Sequence, residues 1–331
     1  MNIKDVAALA GVSPATVSRY LNNTGTICQQ TRERIGKVVE ATGYNPKQKA
    51  KRIEMNHNPT IGVLIPSLLN PVFSEIVAAI QERARYFGYS TIIVDTQYDK
   101  GREQQAVVDL IRQRVGGVIL TVANTEQNEA LALLKDFNFP ICLLYNKSAA
   151  QEPAVFVDNF KAGWQVADKL IGLGHYRFGV AAGHFSASDR ARQRYEGFKQ
   201  RIEKDDRAEL ALLLQVDPTE MAPYSQHKDV IKAAMATAWF CSNDLLALKM
   251  INHFHQAGMK VPDEVSVVGF DGMSLGQIVH PPLATVRVPH KTMGSCAVDL
   301  LFNSKHNTDL SLQRELDFQL SLEGTVSAID A

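Results

Sequence analysis

A short polar helix predicted near the start of the chain carries side chains with a recognisable chemistry. Its outward residues are small or polar and include one arginine: Pro14, Ala15, Thr16, Ser18 and Arg19. Val17 and Leu21 lie four residues apart and face inward. A helix with small residues at its N-terminal end and one arginine fits the major groove of DNA, where hydroxyl and guanidinium groups hydrogen-bond phosphates and base edges.

The elements around this helix predict a helix-turn-helix. Gly11 stands where a left-handed C-cap ends the first helix, and Ser13 followed by Pro14 is a typical helix start. One face of the first helix is apolar and is formed by Val6, Leu9 and Ala10. A third helix is predicted from about 31 to 42. Two short helices joined by a glycine turn are common, so this geometry alone leaves DNA binding and an ordinary helical hairpin equally open.

The charge distribution favours DNA binding. The whole chain has 35 Lys and Arg and 35 Asp and Glu, which gives a formal net charge of zero. Nine of the basic residues but only four of the acidic ones lie in residues 1–60, so this segment has a net charge of +5 and the remainder −5. A small basic segment on a mildly acidic body is expected to contact DNA phosphates through that segment alone.

Catalytic and membrane functions find no support in the sequence. It contains no glycine-rich phosphate loop, nucleophile elbow, paired-carboxylate spacing or metal-ligand motif, although His175, His184, His280 and Asp271 are present. The four cysteines are scattered, as in a reduced cytosolic protein. No apolar run approaches the ~18 residues of a membrane helix, and no signal peptide is evident. We therefore expect a cytoplasmic protein that is not an enzyme and holds no cofactor or metal.

From Thr60 onward, short apolar runs alternate with amphipathic helices, whereas residues 46–59 are polar and basic and predict a linker. Strands are predicted at 61–65, 91–95, 118–121, 141–145, 154–157, 177–181, 212–216, 238–240, 266–269, 286–288 and 316–320. Such alternation predicts parallel, doubly wound sheets, and the length allows two of them. The last two strands are expected to cross back between the halves.

A series of short motifs runs along nearly the whole chain. In the first segment they are Ile3-Lys4-Asp5-Val6-Ala7, Gly11-Val12-Ser13, Thr16-Val17-Ser18-Arg19, Thr31-Arg32-Glu33-Arg34-Ile35 and Gly43-Tyr44-Asn45-Pro46. Later come Ile61-Gly62-Val63-Leu64-Ile65-Pro66, Asn70-Pro71-Val72-Phe73, Val157-Asp158-Asn159, Arg194-Tyr195-Glu196-Gly197-Phe198, Ser242-Asn243-Asp244 and the run from Val261 to Asp271. With these motifs in this order and spacing, the sequence resembles the lactose-repressor (LacI/GalR) family of bacterial transcription regulators.

The resemblance implies an all-α helix-turn-helix headpiece at 1–45, a hinge at 46–59 and an α/β core at 60–331. The core would resemble a periplasmic sugar-binding protein, with two doubly wound parallel-sheet subdomains joined by three crossovers. The N-subdomain would take about 60–158 and 289–317, and the C-subdomain about 159–286 and 318–331. The resemblance also implies a homodimer that binds palindromic double-stranded operator DNA, with an affinity set by a small-molecule effector in the cleft. We expect a dimer rather than a tetramer because no leucine heptad tail is present.

The same resemblance assigns DNA contacts. They fall on Ser13, Pro14, Ala15, Thr16, Ser18, Arg19, Asn22, Lys51 and Ile53. Thr16 and Ser18 are expected to bond phosphates, and Arg19 either reads a guanine edge or contacts phosphate only. The hinge departs from the family, which usually has a leucine wedge in the minor groove where this chain has Ile53. This stiffer side chain acts either as that wedge or as a contact between the two hinges.

On the effector side, the resemblance assigns eight residues. They are Asn70, Phe73, Asp158, Asn159, Arg190, Arg194, Asp244 and Asp271. Arg194 and Asp244 would grip the ligand directly, because an arginine donates and a carboxylate accepts hydrogen bonds. Three alternatives stay open: Asp244 as a helix cap, Arg194 as a solvated helix residue, and Phe73 as a core residue.

The sequence leaves the identity of the ligand open. Lys147 and Arg190 near the mouth of the cleft, together with Arg194, are compatible with an anionic ligand such as a sugar acid. Neutral sugars or glycosides fit at least as well, and nucleobases or phosphorylated metabolites come third. The expected function is a repressor of a carbohydrate or sugar-acid catabolic operon. The alternatives are an activator or a corepressor-dependent regulator, and a transport-type sugar receptor with the same core, which would carry a signal peptide and no headpiece.

Overall fold

The computed structural model describes residues 3–22, 27–42, 59–126, 128–148, 152–217, 219–303 and 312–329. The chain divides into two compact units, 1–59 and 60–331. The predicted hinge at 46–59 lies outside the described residues except for Pro59, so the boundary between headpiece and hinge stays a prediction. No described helix is both long enough and apolar enough to cross a membrane.

The first unit contains three helices around a small apolar core. They are α1 (Ile3–Ala10), α2 (Pro14–Asn22) and α3 (Gln29–Thr42). The buried residues are Val6, Ala7, Ala10, Val17 and Ile35. Leu9 was predicted to belong to the buried face of α1, but its side chain is 63% exposed because Ala7 packs inward in its place. Gly11 has a φ of +63°, the left-handed conformation that was predicted for the end of α1.

The second unit alternates strands and helices. Its strands are β1 (Thr60–Ile65), β2 (Ser90–Asp95), β3 (Val118–Leu120), β4 (Ile141–Leu144), β5 (Ala154–Phe156), β6 (Arg177–Ala182), β7 (Glu209–Gln215), β8 (Ala238–Cys241), β9 (Ser266–Asp271), β10 (Ala284–Arg287), β11 (Gln313–Glu315) and β12 (Gln319–Ser321). Its helices are α4 (Pro71–Tyr86), α5 (Lys100–Arg112), α6 (Glu129–Asp136), α7 (Asn159–Gly172), α8 (Asp189–Ile202), α9 (Lys228–Ala234), α10 (Asp244–Gln256), α11 (Ser274–Ile278) and α12 (His290–Asn303).

These strands form two six-stranded sheets, as the alternating pattern predicted. The first has the order β11-β5-β4-β3-β1-β2 and is entirely parallel. The second has the order β12-β10-β9-β8-β6-β7, and only β12 is antiparallel to its neighbour. We call the first sheet with its helices the N-subdomain and the second sheet with its helices the C-subdomain. Both architectures of the predicted fold class are therefore present: an all-α unit and an α/β core with two doubly wound sheets.

The chain passes between the two sheets three times. It leaves the first sheet after β5, returns after β10 through α12, and crosses again between β11 and β12. The prediction of one late strand at 316–320 was wrong. Only its last two residues belong to a strand, β12, whereas β11 ends at Glu315 in the other sheet, because residues 316–318 form the third crossover.

Helices α7 and α8 pack closely enough to require glycine at their crossing. A Cβ atom on Gly163 would lie 2.0 Å from the backbone carbonyl oxygen of Arg194, and one on Gly197 would lie 2.0 Å from that of Phe160. This contact between helix backbones fixes the position of α8 against the C-subdomain. It therefore fixes the polar residues that α8 presents to the cleft.

Candidate functional site

A cavity of about 780 Å³ lies in the core unit, lined by residues of both subdomains. Its walls come from the segments that follow the carboxyl ends of β1, β2, β4, β6, β7 and β8, and from Asp271 at the end of β9. Ligands of open parallel sheets bind at these ends of the strands, because the connecting loops leave a crevice there. Five of the predicted effector residues line this cavity: Asn70, Phe73, Arg190, Arg194 and Asp271.

Arg194 is held at the cavity wall by three neighbours. Its Nε donates to Oδ1 of Asn159 at 2.8 Å, and its Nη1 donates to the backbone carbonyl of Ser242 at 2.5 Å. Its guanidinium carbon lies 3.4 Å from the ring centroid of Phe270, which is close enough for a cation–π contact. Burial lowers the pKa of Arg194 to about 10, so the side chain is still a cation at neutral pH. It is therefore not a solvated helix residue.

Asp271 supplies the acceptor beside this donor. Its Oδ1 lies 3.7 Å from Nη1 of Arg194, and burial raises the pKa of its carboxyl above the ordinary range. The residue has a φ of +117°, which is a strained conformation for any side chain other than glycine. Its backbone carbonyl accepts hydrogen bonds from Nε2 of His290 at 2.8 Å and from the amide of Val288 at 3.1 Å. These bonds hold the strained conformation in place.

Asp244 does not line the cavity and does not cap its helix. The cap of α10 is Asn243, whose side chain accepts from the amide of Leu246. The Asp244 carboxylate instead accepts from Oγ1 of Thr285 at 2.6 Å and from the amide of Met273 at 2.7 Å. Burial raises the pKa of Asp244, which is fully enclosed. In this structure Asp244 supports the loop that carries Asp271.

Asp158 and Asn159 also lie outside the cavity lining. The Asp158 side chain caps α7 by accepting from the amide of Lys161 at 2.8 Å. Asn159 is buried, and its Oδ1 accepts the hydrogen bond from Nε of Arg194. Lys147, which was expected near the mouth, instead places its ammonium 5.5 Å from the ring centroid of Phe156 and is absent from the described lining.

Aromatic side chains form the N-subdomain wall. Phe73 is buried on the core face of α4 and also lines the cavity, so it is a core residue whose contact with a ligand stays a prediction. Its ring meets Tyr145 edge to face, with centroids 6.0 Å apart. The Tyr145 hydroxyl shares a 2.7 Å hydrogen bond with Nδ1 of His290. Tyr98 completes this wall, and burial raises its pKa to about 12.

Neither tyrosine was among the predicted site residues. The signal that points to them is their position directly after the ends of β2 and β4. Asn70 was predicted, and its side chain accepts from the amide of Val72 to cap α4, so it has a structural role as well as a place in the lining. Within the described part of the chain, no group of His, Cys, Asp and Glu side chains could hold a metal ion.

The candidate DNA-reading helix presents the expected residues at its surface. Pro14, Ala15 and Arg19 are exposed on α2, whereas Val17 is buried. Ser13 accepts from the amide of Thr16 at 3.2 Å and so starts the helix. The side chain of Asn22 and the hinge residues Lys51 and Ile53 lie outside the described residues, so their predicted contacts stay predictions.

Comparison with known proteins gives matches over nearly the whole chain. The family described as bacterial regulatory proteins, lacI family, matches residues 2–47, and that described as periplasmic binding proteins and sugar binding domain of LacI family matches residues 58–317. The chain is 30% identical over 302 residues to the HTH-type transcriptional repressor PurR of Photobacterium profundum, covering 90% of each protein. It is 29% identical to the repressor CytR of Escherichia coli, covering 99% of this chain and 96% of CytR.

Two solved structures agree in fold. A lac repressor dimer bound to operator and the anti-inducer ONPF is 26% identical, with a TM-score of 0.76 and 99% of each chain covered. The transcription regulator GntR of Chromobacterium violaceum is also 26% identical, with a TM-score of 0.74, covering 80% of this chain and 98% of that one.

Proposed function

The chain belongs to the LacI family of bacterial regulatory proteins, and on this premise we propose that it is a homodimeric repressor whose operator affinity is set by a carbohydrate bound in the core cavity. The relatives it matches are transcription regulators and not enzymes. In the proposed mechanism, two headpieces bind the halves of a palindromic operator. Binding of the carbohydrate in the core releases them, so that a catabolic operon is expressed when its substrate is present.

One observation carries the choice of a polyhydroxylated ligand. Arg194 and Asp271 stand side by side at the cavity wall, one a fixed donor and the other an acceptor. Adjacent hydroxyl groups of a sugar each donate and accept hydrogen bonds, so they match such a pair, and the arginine fork discriminates their arrangement. The ring of Phe73 offers an apolar surface to the carbon face of the same sugar.

The charges of the site favour a neutral sugar over a sugar acid. The basic excess expected from Lys147 is not found at the cavity, and the guanidinium of Arg190 pairs with the carboxylate of Asp189 at 3.2 Å. Arg194 has Asp271 beside it, and Asp95 and Asp217 also line the cavity. The Asp189 carboxylate offsets the charge of Arg190, and Asp95 and Asp217 at the cavity wall oppose the binding of an anion.

A thermal-shift screen of the full-length protein tests the ligand class. The compounds are hexoses, pentoses, disaccharides, gluconate and ketogluconates, nucleobases and sugar phosphates. A ligand at ~100 times its dissociation constant adds about 2.7 kcal/mol to the free energy of unfolding. We expect a neutral sugar to stabilise the wild type, Asp271→Asn to abolish this stabilisation, and Asp263→Asn on the exposed surface to retain it. Stabilisation by gluconate alone would favour the sugar-acid operon, and stabilisation by nucleobases alone would contradict the carbohydrate proposal.

A separate binding experiment tests the proposed recognition of operator DNA. Duplexes that bind the protein are selected from a random pool, and the affinities of the wild type, Arg19→Ala and the control Arg34→Ala are compared on selected and scrambled duplexes. We expect Arg19→Ala to reduce the preference for the selected duplex, because each good base contact contributes about 1–3 kcal/mol of discrimination. Equal losses on both duplexes would leave Arg19 as a phosphate contact only.

A further inference from the structure

A buried polar cluster connects the two subdomains beside the cavity. The backbone amide of Asp189 in α8 donates to the carbonyl of Ala123 in the loop after β3, at 2.8 Å. Nδ2 of Asn146, after β4, donates to both carboxylate oxygens of Asp189 at 2.9 and 3.0 Å. Nη1 of Arg190 donates to the carbonyl of Val122 at 2.7 Å. Two neighbouring residues of the C-subdomain are thus bonded to three positions of the N-subdomain.

The amide of Asn146 is oriented by its own subdomain. Its Oδ1 accepts from the backbone amide of Val122 at 3.0 Å, and its Nδ2 donates to the carbonyl of Val122 at 3.1 Å. This pair of bonds fixes which atom of the amide is the donor. It also directs Nδ2 toward Asp189, so the cross-cleft bond is prepared before the two subdomains meet.

Burial makes these contacts specific. Asn146 is 1% exposed, and Asp189 and Arg190 are 5% and 6% exposed. A charged group in such surroundings demands complete pairing, since an unpartnered buried charge is costly. Separation of the subdomains would therefore require water to replace all of these bonds together. The cluster thus favours two arrangements, fully paired or fully hydrated.

Arg190 connects the cluster to the cavity. The hydrogen bonds among the described residues engage only its Nη1. No buried side-chain nitrogen or oxygen of those residues lacks a partner, so Nε and Nη2 of Arg190 are accessible. Because Arg190 lines the cavity, these donors are available to a ligand oxygen. One guanidinium is thus shared between the opposite subdomain and the cavity.

We propose that Asn146 and Asp189 are positioning residues that hold the two subdomains together and fix Arg190 as a ligand-binding donor. We call Asn146, Asp189 and Arg190 the cross-cleft latch. The role of Arg190 toward a ligand rests on the function proposed above, whereas the contact between the subdomains does not. Asn146 is absent from the cavity lining described here, so any effect of its substitution on a ligand is transmitted through the latch.

Hydrogen–deuterium exchange of the full-length protein tests the contact between the subdomains. The amide of Asp189 exchanges only when its bond across the cleft opens. We expect Asn146→Ala and Asp189→Asn to accelerate exchange in the peptide containing residue 189 by about tenfold or more, since each removes a charge-assisted hydrogen bond. The amide of Val216, bonded to Ala182 within the C-subdomain, should be unchanged. The matched control is Asn124→Ala, which removes one hydrogen bond to Glu126 on the same edge of the sheet.

Unchanged exchange at residue 189 in both variants would overturn the latch. Equal acceleration of exchange at Val216 would also overturn it, because the faster exchange would then reflect a general loss of stability.

The second arm measures affinity for D-ribose, cellobiose and D-gluconate, each used separately as a probe. We expect Asn146→Ala to weaken, by about tenfold, whichever probe stabilises the wild type, and Asn124→Ala to leave it unchanged. An unchanged affinity combined with faster exchange would overturn the positioning of Arg190. If no carbohydrate of the wider screen stabilises the wild type, the proposed ligand class fails, and the exchange result still decides the latch.

Discussion

Replacement of Arg194 by Gln is expected to lower the free energy of unfolding of the core by about 3 kcal/mol at pH 8. The substitution removes the cation that faces Asp271 and the donor to the carbonyl of Ser242, and both lie in surroundings that are less than a tenth exposed. Breaking a buried ion pair from one side costs about 3–5 kcal/mol. We expect the lower end of this range for two reasons. The Arg194–Asp271 distance of 3.7 Å exceeds that of a hydrogen bond, and a Gln side chain at position 194 still offers a donor to Asn159.

The loss depends on pH with a defined sign. Burial already raises the pKa of Asp271, and removal of Arg194 raises it further, because the neighbouring cation lowers it. At low pH the Asp271 carboxyl is protonated in both proteins, so the attraction between Arg194 and a charged Asp271 contributes nothing to the stability of the wild type. The difference in stability between wild type and variant should therefore be smaller at pH 5.5 and increase as the pH rises through the folded pKa of Asp271.

Urea denaturation followed by tryptophan fluorescence measures this loss. Both tryptophans, Trp164 and Trp239, belong to the C-subdomain that contains Arg194. The matched control is Arg201→Gln on the same helix, whose bond to the half-exposed Asp168 should contribute about 0–1 kcal/mol. A loss at Arg194 no larger than that at Arg201, or one that is independent of pH, would refute the reasoning.

Three further predictions concern the elements that support the site. Gly163→Ala should cost about 2 kcal/mol or more in urea denaturation, because its Cβ meets a backbone carbonyl of the facing helix, whereas Gly172→Ala on the same helix has open space and should cost nothing. Asp244→Asn should flatten the decline of the unfolding free energy with rising pH. The raised pKa of Asp244 gives a contribution to stability that is complete below the ordinary carboxyl pKa of about 4 and is lost as the pH rises through the folded pKa. An unchanged slope of unfolding free energy against pH would contradict this. Tyr145→Phe should lower the unfolding free energy by about 1–2 kcal/mol, because Nδ1 of His290 loses its partner, and an unchanged Tm would show that the nitrogen is hydrated instead.

Features with local causes could be predicted from the sequence. The Ser13-Pro14 pair indicated where α2 begins, since a serine cap and a proline in the first turn act within a few residues. The buried face of that helix followed from apolar spacing. The same reasoning failed for Leu9, because a helix of eight residues has two adjacent faces that the period alone does not separate.

The polar contacts of the site have distant causes and could not be predicted. Asp244 bonds Thr285, and Asn146 bonds Asp189, across forty or more positions of the chain and, in the second pair, across two sheets. No local pattern encodes such partners. Lys147 shows the same limit, because its position after β4 suggested the cavity mouth, whereas packing directs its side chain to an aromatic ring.

The crossing of the chain between the sheets has a consequence for its synthesis. Strand β11, which completes the edge of the first sheet beside β5, is translated only after β6 to β10 of the second sheet, and β12 follows it beside β10. Neither subdomain can therefore complete its sheet until the end of the chain has been translated. A polypeptide interrupted after α12 would expose β5 and β10, which are mostly buried strands, as sheet edges in place of β11 and β12. Exposed edges of this kind promote aggregation. The two sheets can therefore be completed only together, at the end of translation.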